Sequence, residues 1–414
     1  MKQFSCLTFI ILLNFLPSCN NKEQHNLNEI NIPREIDLDV NRASLDSLDL
    51  SEIAEKVEYI PLETTGNILI DQIWDFVVTK DFIFILDSWK ILKFTKDGKY
   101  VKELFKVGNG PGEAFCLCFA VDEGKEYVYV CDRKKYDLKI YDFDGTFIST
   151  IKTPIGPPEH MTYSIGYFNN SLFITSVQKF KVKYLYSCFD LTNDSIKVLY
   201  KNYRIYDKAK EAKYMAVIMP SDHSYQINAS SILFKERYCD TIFCANTNFE
   251  IKPKYIIDLK DHKLTWEQWR DNGLYNFAGG PLEGYYVQSF VETDLFLFIS
   301  LKSFRNPALF TMFNKMNGSL KTFSSNQIET DDTPVFIRNN LDKIIPFPVM
   351  DVDGFFHYFN NSFYSLIESK YFVQKYRNTS EKLKRSSTYL IKMSNILNNV
   401  DEFSNPVLMK VDLK

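Results

Sequence analysis

Phe82-Ile83-Phe84-Ile85-Leu86, followed by Ile91-Leu92-Lys93-Phe94-Thr95-Lys96-Asp97-Gly98-Lys99-Tyr100, is the stretch that decides the fold. Further along stands Tyr127-Val128-Tyr129-Val130, followed by Leu138-Lys139-Ile140-Tyr141-Asp142-Phe143-Asp144-Gly145-Thr146-Phe147. Each is an aromatic and β-branched strand, a short polar turn, a second strand, and an Asp-Gly step into a third. Such side chains suit a pleated surface, and Asp-Gly tolerates the positive φ of a tight hairpin turn. A multi-strand unit returning every ~45–60 residues reads as the blades of a propeller.

The turns index the blades. The turn ahead of each second strand falls at Thr79-Lys80-Asp81, Asp122-Glu123-Gly124, Asn169-Asn170, Ala229-Ser230, Glu292-Thr293-Asp294 and Asp353-Gly354, which predicts six blades. Between third and fourth strands stand Asp97-Gly98, Asp144-Gly145, Asn193-Asp194, Asn248 and Asn317-Gly318. The strands run apolar without alternation, as sheets covered on both faces do. An open ring would leave sheet edges unpaired, so 57–62 and 407–413 are expected to close it within one blade. The predicted class is all-β: a six-bladed β-propeller with short helical insertions at 261–276 and 366–402.

Phe4 to Phe15 is almost wholly apolar and ends in Leu16-Pro17-Ser18-Cys19. That is too short for a membrane span and reads as an export signal. Leu at −3, a small residue at −1 and then Cys resemble a bacterial lipobox, with Cys19 as the lipidated residue. Asn20 and Asn21, in place of an Asp, favour the outer membrane. The expected organisation is a signal peptide over 1–19, a flexible polar tether over 20–50 and the propeller over 51–414.

Bulk composition narrows the function. A net charge of −3 gives no reason to expect nucleic acid as partner. Only 5 histidines leave little material for histidine catalysis or zinc binding. Cys116 and Cys118, at i and i+2 of a strand, are expected to share a face. With Cys131, Cys188, Cys239 and Cys244 they read as buried free thiols, disulfide pairing being the alternative; a Cys-x-Cys pair without further ligands is weak evidence for metal, so no metal site is expected.

At Ser51-Glu52-Ile53-Ala54 and Val57-Glu58-Tyr59-Ile60-Pro61-Leu62-Glu63-Thr64 the chain resembles the opening of the six-bladed β-propeller lipoproteins of Bacteroidetes. Gly108-Asn109-Gly110-Pro111-Gly112-Glu113, Asp240-Thr241-Ile242-Phe243 and Asn405-Pro406-Val407-Leu408 carry the same resemblance. It implies a propeller distantly similar to NHL-type domains and a cell-envelope location. It implies no established activity, cofactor or catalytic residue.

The glycine loop at 108–113 is not a phosphate loop, because no Lys-Ser/Thr follows and it leads into a strand. It reads as a connection between blades that brings Glu113 to the channel mouth. Glu113, His223, His160 and Asp75 are the expected ligand-binding residues, with Asp351 as a further candidate. They come from different blades and can converge on one channel. Tyr163, Tyr225, Tyr285 and Tyr286 form either an aromatic platform for a sugar or peptide, or core. The expected function is a lipid-anchored binding or scaffold module for a glycan, peptide or envelope protein. The alternative is a channel-mouth lyase, lactonase or hydrolase using a bound cation. Each buried methylene of an acyl chain contributes about 0.8 kcal/mol to membrane binding. Cys19→Ala is therefore expected to move most of the protein from the membrane to the soluble fraction, and unchanged partitioning on fractionation would remove the anchor.

Overall fold

Strands that are apolar on both faces need a neighbour on each side, and the chain supplies one by closing its sheets into a ring. The computed structural model describes residues 33–43, 48–66, 68–157, 160–176, 182–201, 223–236, 238–268, 283–303, 305–324, 335–349, 356–377, 393, 396–398 and 400–414. Blade 1 comprises Ile73–Val78, Phe82–Asp87, Lys90–Thr95 and Tyr100–Glu103, from the inner to the outer strand. Blade 2 follows with Cys116–Asp122, Tyr127–Asp132, Leu138–Asp142 and Phe147–Ile151, and blade 3 with Thr162–Phe168, Ser171–Ser176, Tyr184–Asp190 and Ser195–Lys201. Blade 4 is built from His223–Ile227, Ser231–Glu236, Thr241–Asn246 and Ile251–Asp258, and blade 5 from Tyr286–Glu292, Phe296–Lys302, Leu309–Asn314 and Leu320–Ser324. Blade 6 takes Phe356–Phe359, Ser362–Ile367 and Val407–Leu413 from late in the chain, and its outer strand, Ala54–Pro61, from the beginning.

That last pairing closes the ring as the sequence predicts. It is antiparallel and runs from Ala54 opposite Leu413 to Pro61 opposite Val407. The apolar core is correspondingly divided into six clusters, one at each interface between blades. Alternate residues of one strand serve different interfaces. Ile83 and Ile85 pack toward blade 6, while Phe84 and Leu86 pack toward blade 2. Each such fully buried side chain contributes about 1.5–3 kcal/mol.

Antiparallel meanders put the blade-to-blade connections and the second-to-third-strand connections on one face. That long-loop face carries 104–115, 259–268 and 368–377, whereas the opposite face carries tight turns. Those turns need positive φ, and Gly98, Gly145, Asp194 and Gly318 adopt it.

Three expectations change. Residues 34–43 and 48–50, expected as part of the tether, belong to the fold: Arg34–Asp37 is a parallel fifth strand on Ile251–Asp258 of blade 4, and Leu38, Leu48 and Leu50 are buried. Ile36, Leu38 and Val40 alternate with polar residues, a strand signal too brief to stand out from its charged surroundings. In blade 6 the turn between first and second strands is Asn360-Asn361, both at positive φ, so Phe356–Phe359 is the inner strand rather than the second. Asp353-Gly354 lies outside the described residues. Finally, an extra residue in the inner strand of blade 2 separates Cys116 from Cys118. Cys116 packs toward blade 1 and Cys118 toward blade 3. The cysteines of the described residues are free thiols.

Of the insertions, a helical turn starts at Trp266 and a helix spans Ser369–Arg377, between the second and third strands of blade 6. Residues 269–276 and much of 378–399 lie outside the described residues.

The blade contacts tolerate no side chain at two glycines. A Cβ on Gly98 would meet the Pro61 carbonyl oxygen at 2.2 Å, and one on Gly145 would meet that of Leu104 at 2.4 Å, both at positive φ. Such strain costs about 1–3 kcal/mol before any clash. Gly98→Ala and Gly145→Ala are expected to lower the denaturation midpoint clearly, whereas Gly66→Ala, with nothing within 4 Å of its Cβ, should not. Equal midpoints in urea for all three would show that these close approaches relax freely.

Candidate functional site

Among the described residues, four of the six inner strands carry the same irregularity. Opposite the second strand of its blade, each accommodates one extra residue near its start: Trp74 in blade 1, Leu117 in blade 2, Tyr163 in blade 3 and Gln288 in blade 5. A bulge turns the chain locally and re-aims its side chains. All four extra residues line the central channel, and so do the residues that follow them, Asp75, Cys118, Ser164 and Ser289. Inner strands start on the long-loop face, so these residues form one ring just inside that mouth. In blade 4 the inner strand pairs without a shift, and Ser224 and Tyr225 complete the ring there. The channel and the grooves that open from it enclose about 2960 Å³.

The chemistry of the ring is set by burial. Asp75 is recessed in the wall, with the Phe76 N–H donating to Oδ1 at 2.8 Å. Loss of solvent pushes its carboxyl up to about 7, and the Phe76 N–H only partly opposes that. Ser164 Oγ and the Tyr225 hydroxyl share a hydrogen bond of 2.6 Å between blades 3 and 4. Burial and then the Asp75 charge raise the Tyr225 phenol, so it stays protonated. Trp74 meets Trp89 edge-on at 4.2 Å, and Arg133 covers the far ring at 4.5 Å. Tyr163 is 41% exposed in the ring.

His357 lines the channel from blade 6, with its ring 5.9 Å from Phe76. Burial and then the Lys96 charge lower its pKa to about 4, so the imidazole is neutral at pH 7. Its Nε2 makes no hydrogen bond among the described residues. Sequence reading passed over His357 because it sits inside an apolar strand.

Of the three expected site residues whose side chains are described, Glu113, His160 and Asp75, the last alone is brought to the channel ring. Glu113 folds back onto its own loop: Oε2 accepts from the Gly110 N–H at 2.8 Å, and its carbonyl accepts from Lys139. A Cβ on Gly108 would fall 2.1 Å from that carboxylate oxygen, so the glycines make room for Glu113 rather than for a ligand. His160 is buried against Tyr184 at 5.2 Å, outside the channel lining. His223 opens the inner strand of blade 4, and its side chain lies outside what is described, as does Asp351. Tyr163 and Tyr225 join the ring, while Tyr285 and Tyr286 are core residues. No group of three or more metal-ligating side chains occurs among the described residues.

Comparison with known proteins agrees with this architecture. The profile of the DUF4934 family, a domain of unknown function, matches residues 33–412. A Bacteroides fragilis protein described as exported superposes with a TM-score of 0.61 at 15% identity, covering 92% of this chain and 99% of that one. A DUF4221-family protein from Bacteroides vulgatus gives 0.46 at 11% identity, covering 87% and 97%. No curated protein matches the sequence.

Asp75 makes stability depend on pH. Its folded pKa of about 7 lies above the ordinary aspartate value of 3.8, so its cost is absent below the unfolded pKa and complete above the folded one. Asp75→Asn is expected to match the parent near pH 4 and to exceed its Tm by about 1–3 °C at pH 8. A Tm difference that does not change between these pH values would contradict the raised carboxyl.

Proposed function

The chain belongs to the DUF4934 family, and from that premise we propose a cell-envelope module, anchored through acyl chains on Cys19, that binds a glycan at the long-loop mouth of its channel. The observation that carries this reading is the ring of bulged inner strands. Trp74 and Tyr163 offer aromatic faces for the apolar face of a sugar ring. Asp75, the Ser164–Tyr225 pair and Gln288 offer hydrogen bonds to its hydroxyls. A few convergent polar groups among aromatic and apolar walls are the usual make-up of a small-ligand site. The lipobox ending at Cys19 supports the envelope location, as does the shared fold with a protein described as exported.

One observation favours a second reading, catalysis at the same mouth. A recessed carboxyl with a pKa of about 7 is half protonated at neutral pH, as a general acid requires.

Soluble full-length chain carrying Cys19→Ala, probed on a glycan array and then by calorimetry, separates the readings. Binding is expected, with Trp74→Ala and Tyr163→Ala each weakening it about tenfold, equivalent to ~1.4 kcal/mol. Cleaved or eliminated sugar products would support the enzyme reading. Failure to bind any glycan, with capture of a peptide or envelope protein unaffected by the Trp74 and Tyr163 changes, would overturn the site.

A further inference from the structure

On the short-turn face, opposite the channel mouth, a crevice of about 440 Å³ opens where blade 6 meets blade 1. It is lined by Lys80 and Lys96 of blade 1, Glu123 of blade 2, and Phe359, Tyr364, Lys410 and Asp412 of blade 6. Three ammonium groups therefore face two carboxylates. Lys410 is neutralised in place, by Glu58 at 3.2 Å and Asp412 at 2.8 Å. Lys96 is not. Its Nζ donates to the Thr79 carbonyl at 2.7 Å and to the Tyr364 hydroxyl at 3.4 Å. It also sits 4.9 Å from the Tyr364 ring centre and 5.6 Å from that of Phe359. None of these partners carries a negative charge, and Asp81 and Glu123 act on it only from a distance. A half-buried cation with neutral partners and a second ammonium nearby lacks a counter-ion.

We propose that this crevice is an anion site, in which Lys96 receives a carboxylate or sulfate group of a ligand and Lys80 and Lys410 flank it. Lys80 is well placed for this, since its exposed chain springs from a turn held by its own N–H donating to Glu123 Oε1 at 2.8 Å. The site is independent of the channel mouth in position and chemistry.

The protonation of Lys96 makes the site pH-dependent. Burial, and then repulsion from Lys410, lowers its pKa to about 8, opposed by Glu123 and Asp81. The other titratable groups around it are Tyr364, Asp412 and Glu58 in blade 6, Lys80 in blade 1, and His357, which is neutral at pH 7. An anion bound to Lys96 returns the pKa upward, so binding must weaken once the free site has lost its proton.

Calorimetric titration of the full-length protein with sulfate and with glucuronate, which keep their charge across the range, tests this at pH 6.5 and pH 9.5. One of the two anions is expected to bind saturably at pH 6.5 and about tenfold more weakly at pH 9.5. Lys96→Met should abolish binding, and Lys80→Glu should weaken it without changing Tm. Saturation by glucuronate alone would mark a carboxylate ligand, and by sulfate alone a sulfated one. The proposal falls if neither anion saturates, or if affinity is the same in Lys96→Met. Should Lys96→Met not fold, unchanged affinity in Lys80→Glu overturns it.

Discussion

Everything in this molecule depends on burying each sheet from both sides. A four-stranded sheet with apolar residues on both faces is not stable alone, and two stacked sheets would still expose their outer faces. Six sheets around an axis cover one another, and the price is that the ring must close. Closure falls to Ala54–Pro61 on Val407–Leu413, so the last blade forms only when both ends of the chain meet. The six apolar clusters then differ in membership but not in kind. Removing any one would expose the faces of two blades.

Polar groups fix how the blades sit against each other. Apolar contact is non-directional, whereas a buried N–H must find an acceptor. Lysines crossing between blades to backbone carbonyls add directional ties, buried at Lys93 and Lys235 and exposed at Lys102 and Lys197. Lys93 of blade 1 reaches the Phe143 carbonyl at 2.7 Å, and Lys102 reaches that of Asp144 at 2.6 Å. Lys197 of blade 3 reaches Asn248, and Lys235 of blade 4 reaches Val287 of blade 5. Gln226 does the same with an amide, pairing with the backbone of Glu292 at 2.7 Å in both directions. Glu292 itself is a buried carboxylate. Burial alone would raise its pKa, but Lys254 and Lys315 more than reverse this, and the Tyr255 hydroxyl donates to it at 2.5 Å.

The propeller was legible in the sequence because its determinants are local. Aromatic and β-branched runs, Asp-Gly turns and the spacing between them specify strands, hairpins and blades without knowledge of distant contacts. Legibility failed where a residue's meaning depends on its partner strand. Asn360-Asn361 repeats the turn of Asn169-Asn170, both pairs at positive φ, yet Asp353-Gly354 offered a stronger turn signal. Ile36, Leu38 and Val40 look like isolated apolar residues until Ile251–Asp258 is set beside them.

The site was legible at Asp75, a charge inside an apolar strand, and at Tyr163 and Tyr225, aromatic residues near the starts of inner strands. Glu113 had the opposite character: a charge after three glycines invites a ligand, but the loop's own Gly110 N–H holds it. The ring of bulges could not be read from one strand, because parity along a strand assumes an unbroken ladder. One extra residue inverts it, which is why Cys116 and Cys118 face different blades. A residue-level trace of the device does exist in Trp74-Asp75, Leu117-Cys118, Tyr163-Ser164 and Gln288-Ser289: a large side chain followed by a small or polar one, near the start of an inner strand. The large residue loses its pairing partner in the sheet and is free to project into the lumen, while the next returns to the ladder with a side chain short enough to leave the channel open. The same constraint that makes the blades uniform thus requires that any site at the axis be built from interruptions of that uniformity.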